Sequence, residues 1–226
     1  MRALGAVVFM GIVGCATVTI PTQTYRGALT PPPLAAAGQT FHDSSPRSFD
    51  KASVLIVHSG IDQVPNYQMY SFEGDMIEGL QLLRQKLAAH PRVRRLDVVN
   101  LPAWDVQSHE DLRRLGALYD AQLVLVVNTA YDFMSYYGTG GEFVGWIPYI
   151  NFVIPIYRLE GSATAQVTVL DVKSGVLRLA DQASASHISR SSGLYMQEHF
   201  SAISHEVHRD VFTKIAEKVG GWLEKS

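Results

Sequence analysis

Apolar and polar residues fall into three rhythms along this chain, and each rhythm predicts a different element. Val54-Leu55-Ile56-Val57 is wholly apolar, the mark of a strand buried on both faces of a parallel sheet. Phe72, Met76, Leu80, Leu83 and Leu87 then recur at spacings of four and three. They predict an amphipathic helix with Ser71 as N-cap, ending near His90-Pro91. Arg94 to Asn100 reads as a second strand. Ser108-His109-Glu110-Asp111 opens a second helix with capping chemistry, carrying Leu112, Leu115 and Leu118 inward. Leu123 to Val127 is a third strand, again buried on both faces. From Ala163 the period changes to two: Ala165, Val167 and Val169 alternate with Thr164, Gln166 and Thr168. Asp171 to Gly175 supplies a turn and Val176 to His187 runs back, which predicts an antiparallel hairpin with one covered face. A final helix over about 195–223 would bury Phe200, Ile203, Val207, Val211, Ile215, Val219 and Trp222.

The order βαβαβ implies right-handed crossovers and a parallel core. The fold class is therefore α/β with a mixed sheet: a βαβαβ parallel core, an aromatic insertion, an antiparallel hairpin and a C-terminal helix. The insertion lies in residues 136–157, where Gly138-Thr139-Gly140-Gly141 runs into a segment crowded with aromatic and aliphatic side chains. Pro148 and Pro155 keep it from being a regular helix, a central strand or a membrane-spanning strand of about 9–11 alternating residues. Besides insertion into a membrane in some other form, two roles stay open for it. It folds over the sheet as core cover, or it presents Tyr137, Phe143, Trp146, Tyr149 and Phe152 as a partner surface, since aromatic residues concentrate binding energy.

The first residues change the picture by adding a compartment. Arg2 is followed by an apolar run from Ala3 to Val13, too short for a spanning helix and the length of a signal peptide core. Ile12-Val13-Gly14-Cys15 resembles the bacterial lipobox. That resemblance implies cleavage after Gly14 and acylation of Cys15, including a palmitate-type chain, with Ala16 favouring the outer membrane facing the periplasm. Cys15 is the only cysteine, so neither an internal disulfide nor a cysteine metal site can form. Three expected regions result: a signal peptide over 1–14, an acylated cysteine and Pro/Thr/Ala-rich tether over 15–50, and one folded domain over 51–226. The charge is nearly balanced, 19 Lys+Arg against 21 Asp+Glu, which argues against nucleic acid as a partner.

The run "LRRLGALYDAQLVLVVNT", the hydrophobic insertion, and then "GSATAQVTVLDVKSGVLRLADQASAS" together resemble a group of periplasmic lipoproteins. Their α/β domain is related to the N-terminal domain of TolB and to the soluble part of the curli secretion lipoprotein CsgG. The pattern is also similar to the rhombotarget lipoproteins. The resemblance covers about residues 53–220 and rests on element order, so it implies a fold rather than a reaction.

No stretch carries a catalytic signature. The glycine cluster lacks the Lys and Ser/Thr of a P-loop and opens no helix pattern, so it reads as a turn. His205 and His208 miss the spacing of a zinc protease; with His199 and His187 they read as incidental residues of a solvated helix face, and no metal is expected. Arg92, Arg94 and Arg95 read as a solvated cluster complementing a helix C-terminus. Parallel sheets bind ligands beyond the carboxyl ends of their strands. Those ends carry His58, Ser59 and Asp62, then Asn100 and Asp105, then Asn128, Tyr131 and Asp132. His58, Ser59, Asp62, Asn128, Tyr131 and Asp132 are the candidate ligand crevice.

These features predict a membrane-anchored periplasmic lipoprotein that acts by binding, as an accessory factor of envelope assembly or maintenance. An envelope protein is the expected partner, and no cofactor is expected. Two other classes stand beside it: a hydrolase using the strand-end Ser, Asp and His residues, and a component of an oligomeric CsgG-like secretion assembly.

Overall fold

A computed structural model describes residues 51–60, 72–102, 108–138, 147 and 149–226. Its elements in chain order are β1 (Ala52–Gly60), α1 (Phe72–Ala88), β2 (Val93–Pro102), α2 (His109–Leu118) and β3 (Leu123–Tyr137), then α3 (Ile150–Val153), β4 (Tyr157–Asp171), β5 (Leu177–Ser191) and α4 (Met196–Lys225). The strands form one open sheet in the order β2-β1-β3-β4-β5. β1 runs parallel to both β2 and β3, and β4 is antiparallel to β3 and β5. The α/β fold with a mixed sheet and a closing helix is the one the sequence predicts.

The two faces of the sheet are covered unequally. Val54 and Ile56 of β1, Leu125 and Val127 of β3, and Ala163, Ala165 and Val167 of β4 face α1 and α4. There they meet Leu80, Leu83 and Leu87 from α1 and Ile203, Val207, Val211, Phe212 and Ile215 from α4. On the other face a smaller cluster joins Leu55, Val57, Val124, Val126 and Leu170 to Leu112 of α2. Beyond α2 this second face has turned polar, with Asn128, Gln166 and Gln182 in one register row and Tyr136, Arg158 and Arg190 in another. Period-two alternation with one solvated face is what an antiparallel sheet permits.

α4 also reaches the edge of the sheet. Lys214 Nζ donates to the carbonyl of Ser184 in β5 at 2.7 Å, and Lys218 pairs with Asp181 at 2.6 Å. A helix that covers an edge strand in this way hinders its pairing with another chain.

Several expectations need correcting. Leu118 does not point inward; it is 80% exposed, because six residues after Leu112 is about 240° around a helix. The inner position belongs to Gly116, where a Cβ would lie 2.5 Å from Val172 Cγ2. Phe212 is fully buried although the helix pattern did not select it, whereas Phe200 and Trp222 are only partly buried against the core. The third strand does not end at Val127 but runs 15 residues to Tyr137. Its second half alternates polar and apolar because its antiparallel neighbour β4, also 15 residues long, supports it. Ser108 does cap α2, its Oγ accepting from the Asp111 N–H at 3.2 Å. No helix among the described residues is long and apolar enough to cross a membrane.

Candidate functional site

The length of β3 divides the expected crevice. Asn128, Tyr131 and Asp132 lie within the strand, not at its carboxyl end, and successive side chains of a strand point to opposite faces. Tyr131 faces α1 and α4 with His58, while Asn128 and Asp132 face the other side of the sheet. A hydrolytic set combining His58 with Asp132 is therefore not assembled. Asp62 and Asp105 lie outside the described residues, as do the side chains of Ser59 and Asn100.

What the fold does assemble is a buried polar chain that the sequence only half revealed. His58 Nε2 lies 3.3 Å from Thr129 Oγ1, both side chains buried. Tyr131, two residues along β3, stacks on His208 of α4 with ring centroids 4.1 Å apart. His208 Nδ1 donates to the Ser204 carbonyl at 2.6 Å, which fixes the proton on that nitrogen in the neutral ring. Ser204 Oγ donates to Asp75 Oδ2 on α1. Tyr131 Oη and His208 Nε2 are buried without a hydrogen-bond partner. Burial lowers the His58 pKa to about 4 and lowers that of His208, against the Ser204 bond and the charge of Asp75. Burial likewise raises the Tyr131 phenol. Both imidazoles are neutral at pH 7. Thr129, Asp75 and Ser204 escaped the sequence reading because Thr129 looks like an ordinary strand residue and the other two sit on separate helices, 129 positions apart.

The histidines of the last helix go separate ways. His187 of β5 approaches Glu206 at 3.0 Å, His199 meets Ser189 at 3.1 Å, and His205 lies 3.5 Å from Glu78. His205 and His208 thus do not share a face with His187; one is half-exposed against α1 and the other is buried. Among the described residues no group of three His, Cys, Asp or Glu side chains has metal-site geometry. In the basic cluster, Arg95 pairs with Asp97 at 2.8 Å.

The aromatic insertion is divided between core and solvent. Ile156 and Tyr157 are buried, and the Gly138 N–H donates to the Ile156 carbonyl at 2.6 Å. Tyr137 stacks on Tyr157 at 5.1 Å but keeps an exposed edge. The described residues just before Ile156 turn outward. Tyr149, in the left-handed region at φ 70°, is 80% exposed and Val153 is 71% exposed. Phe152 and Ile154 are also exposed, as are Leu194 and Tyr195 of the connection into α4. The Leu194 N–H donates to the Phe152 carbonyl at 3.4 Å, which joins the two connections into one apex at the far end of β3, β4 and β5. Each large apolar side chain left in water there forgoes about 1.5–3 kcal/mol available on full burial. Such patches mark contact surfaces. Phe143 and Trp146, the other members of the expected partner surface, lie outside the described residues.

No family model matches the chain and no curated protein resembles it closely enough to count. Among solved structures it is similar to a hypothetical protein from Chlamydia trachomatis, with 12% identity over 77% of this chain and 99% of that one and a TM-score of 0.43. A minor lipoprotein from Acinetobacter baumannii is 9% identical over 74% of this chain and 92% of that one, with a TM-score of 0.38. A lipoprotein from Neisseria meningitidis is 15% identical over 69% and 97%, with a TM-score of 0.33. At such values the likeness leaves function to be argued from the chain's own surface.

Proposed function

We propose that this chain is an acylated envelope lipoprotein whose α/β domain acts by binding through its apex rather than by catalysis. Cleavage after residues 1–14 would leave Cys15 as the acylated N-terminus. Residues 15–50 would tether the domain, residues 51–226, to the outer membrane on its periplasmic side. The lipobox-like sequence at Ile12 to Cys15 supports the anchor. The observation that carries the binding role is the apex itself: six large apolar side chains stand in solvent on one end of a well-packed sheet. The role is that of an accessory factor in envelope assembly or maintenance.

A photoreactive amino acid at Phe152 in the cell tests the role. Membrane-associated adducts are expected from that position and not from exposed Lys173 at the opposite end of the hairpin. Equal labelling at both positions, or none at either, would sink the binding role. Radiolabelled palmitate tests the anchor independently, with incorporation expected in the native chain and absent from Cys15→Ala.

A further inference from the structure

We propose that the apex docks on a phospholipid surface, with Arg158 and Arg190 meeting lipid phosphates while Phe152, Val153 and Ile154 enter the boundary of the acyl chains. The first observation is a like-charge pair. Arg158 of β4 and Arg190 of β5 stand directly opposite each other in register, an arrangement that destabilises a sheet unless something outside compensates it. Within the protein the compensation is thin. Arg158 lies over the Tyr136 ring at 5.6 Å, and its Nε is buried without a hydrogen-bond partner. The carboxylate of Glu160, next on that face, accepts from the Tyr136 hydroxyl at 3.1 Å. Glu198 belongs to the first turn of α4, on the other face. In the two register rows of the polar face nearest the apex, two guanidiniums therefore stand with one carboxylate; the next carboxylate, Asp132, lies one row further from the tip. Guanidinium groups match phosphate geometry with paired donors.

The second observation is where this pair sits. Tyr157 and Ser191 form the last register pair of the sheet, one residue beyond the two arginines. The exposed apolar residues begin just past it. An apolar tip a few ångströms beyond a pair of cations suits an interfacial anchor, whose apolar part penetrates about 5–10 Å. Tyr149 and Tyr195 flank the tip, and tyrosine favours the headgroup level of a bilayer.

The third is reach, and here the proposal rests on acylation of Cys15. β1 begins beside the start of β3, so the tether enters at the end away from the apex, about 50 Å along a 15-residue strand. Residues 16–50 can extend to about 120 Å. One bilayer can therefore hold the acyl chains and the apex together. A second attachment also suits the physics, because stable membrane binding is built from more than one weak signal.

The test uses the acylated full chain reconstituted into phosphatidylethanolamine/phosphatidylglycerol vesicles. Acylation consumes the only native thiol, so a nitroxide can be placed on Val153→Cys and, as reference, on Lys173→Cys. The Val153 label is expected to be more accessible to oxygen than to a water-soluble nickel chelate, and the Lys173 label the reverse. A Val153 label that reads as aqueous in incorporated protein overturns the proposal. So does one broadened by a neighbouring label, which would make the apex a contact between copies, or one shielded from both reagents by a bound protein. Chain that is not acylated and stays out of the vesicles counts against the anchor instead, and co-sedimentation with the same vesicles then reads the apex alone. Pelleting that Arg190→Ala weakens about fivefold, and that Phe152→Asp abolishes, supports docking; absence of pelleting overturns it.

Discussion

Gly161 of β4 packs against α4: a Cβ there would collide with Ile203 Cγ2 and lie 2.7 Å from Phe133 Cε1. Both neighbours are buried, so neither can swing aside into solvent. Gly161→Ala should lower stability by about 1–3 kcal/mol, the usual cost of overpacking, read by urea denaturation with an unchanged m-value. The buried histidines make a second prediction at this scale. His58 and His208 are held neutral when folded and regain ordinary proton affinity when unfolded, so between those pKa values the unfolded chain binds more protons. Their contribution to stability is complete above about pH 6.5 and is lost as pH falls below it, for His58 toward about 4. For His58 alone this amounts to about 3 kcal/mol at the acid end. His58→Gln should flatten the fall in denaturation midpoint between pH 6.5 and 4; an equally steep fall would show that other groups carry it. Neither feature could be read from the sequence. His58 was legible as a strand-end residue, but its partner Thr129 comes from another strand, and single-chain spacing carries no record of such a meeting.

At the scale of elements, the hairpin between β4 and β5 is pinned by one carboxylate. Asp171, 2% exposed, accepts from the N–H groups of Lys173 and Ser174 at 3.0 and 3.2 Å and from Arg178 Nη2 at 3.2 Å. Asp171→Ala should cost about 2 kcal/mol, in the range for hydrogen bonds to charged groups, and amide exchange should quicken first around Gly175. The apex and its root should respond oppositely. Phe152→Ser should leave the melting temperature within a degree or so, since exposed changes away from special features shift stability by only about 0.5 kcal/mol. Ile156→Ser, four residues on and 7% exposed, should lower stability by about 2–4 kcal/mol. Similar losses from both would mean that the apex is core. Element type was largely legible because period and capping are local: the buried runs of β1 and β3, the alternation of β4 and the Ser108 cap are written in adjacent residues. Length was not. β3 and β5 outrun their apolar patterns because backbone pairing with β4 continues where one face meets water, and Asn128 and Asp132 then resemble the residues that end a strand.

Across the whole molecule, the covered face of the sheet belongs mostly to α4. Ile203, Val207, Val211, Phe212, Ile215, Val219 and Leu223 come from this one helix and close over apolar side chains of β1, β3 and β4. Removing residues 196–225 should therefore abolish cooperative unfolding rather than merely lower its midpoint, as a loss of near-ultraviolet circular dichroism would report; a truncated chain with a sharp transition would contradict this. The order of synthesis adds a consequence in time. α4 leaves the ribosome after every strand it covers, so the nascent sheet cannot bury its apolar face until translation of the domain is nearly complete. For the export proposed above such a delay is an advantage, because an early-folding domain would jam a narrow translocation channel. The position of α4 after every strand it covers thus sets the moment at which the sheet can close, when this thirty-residue helix has been made.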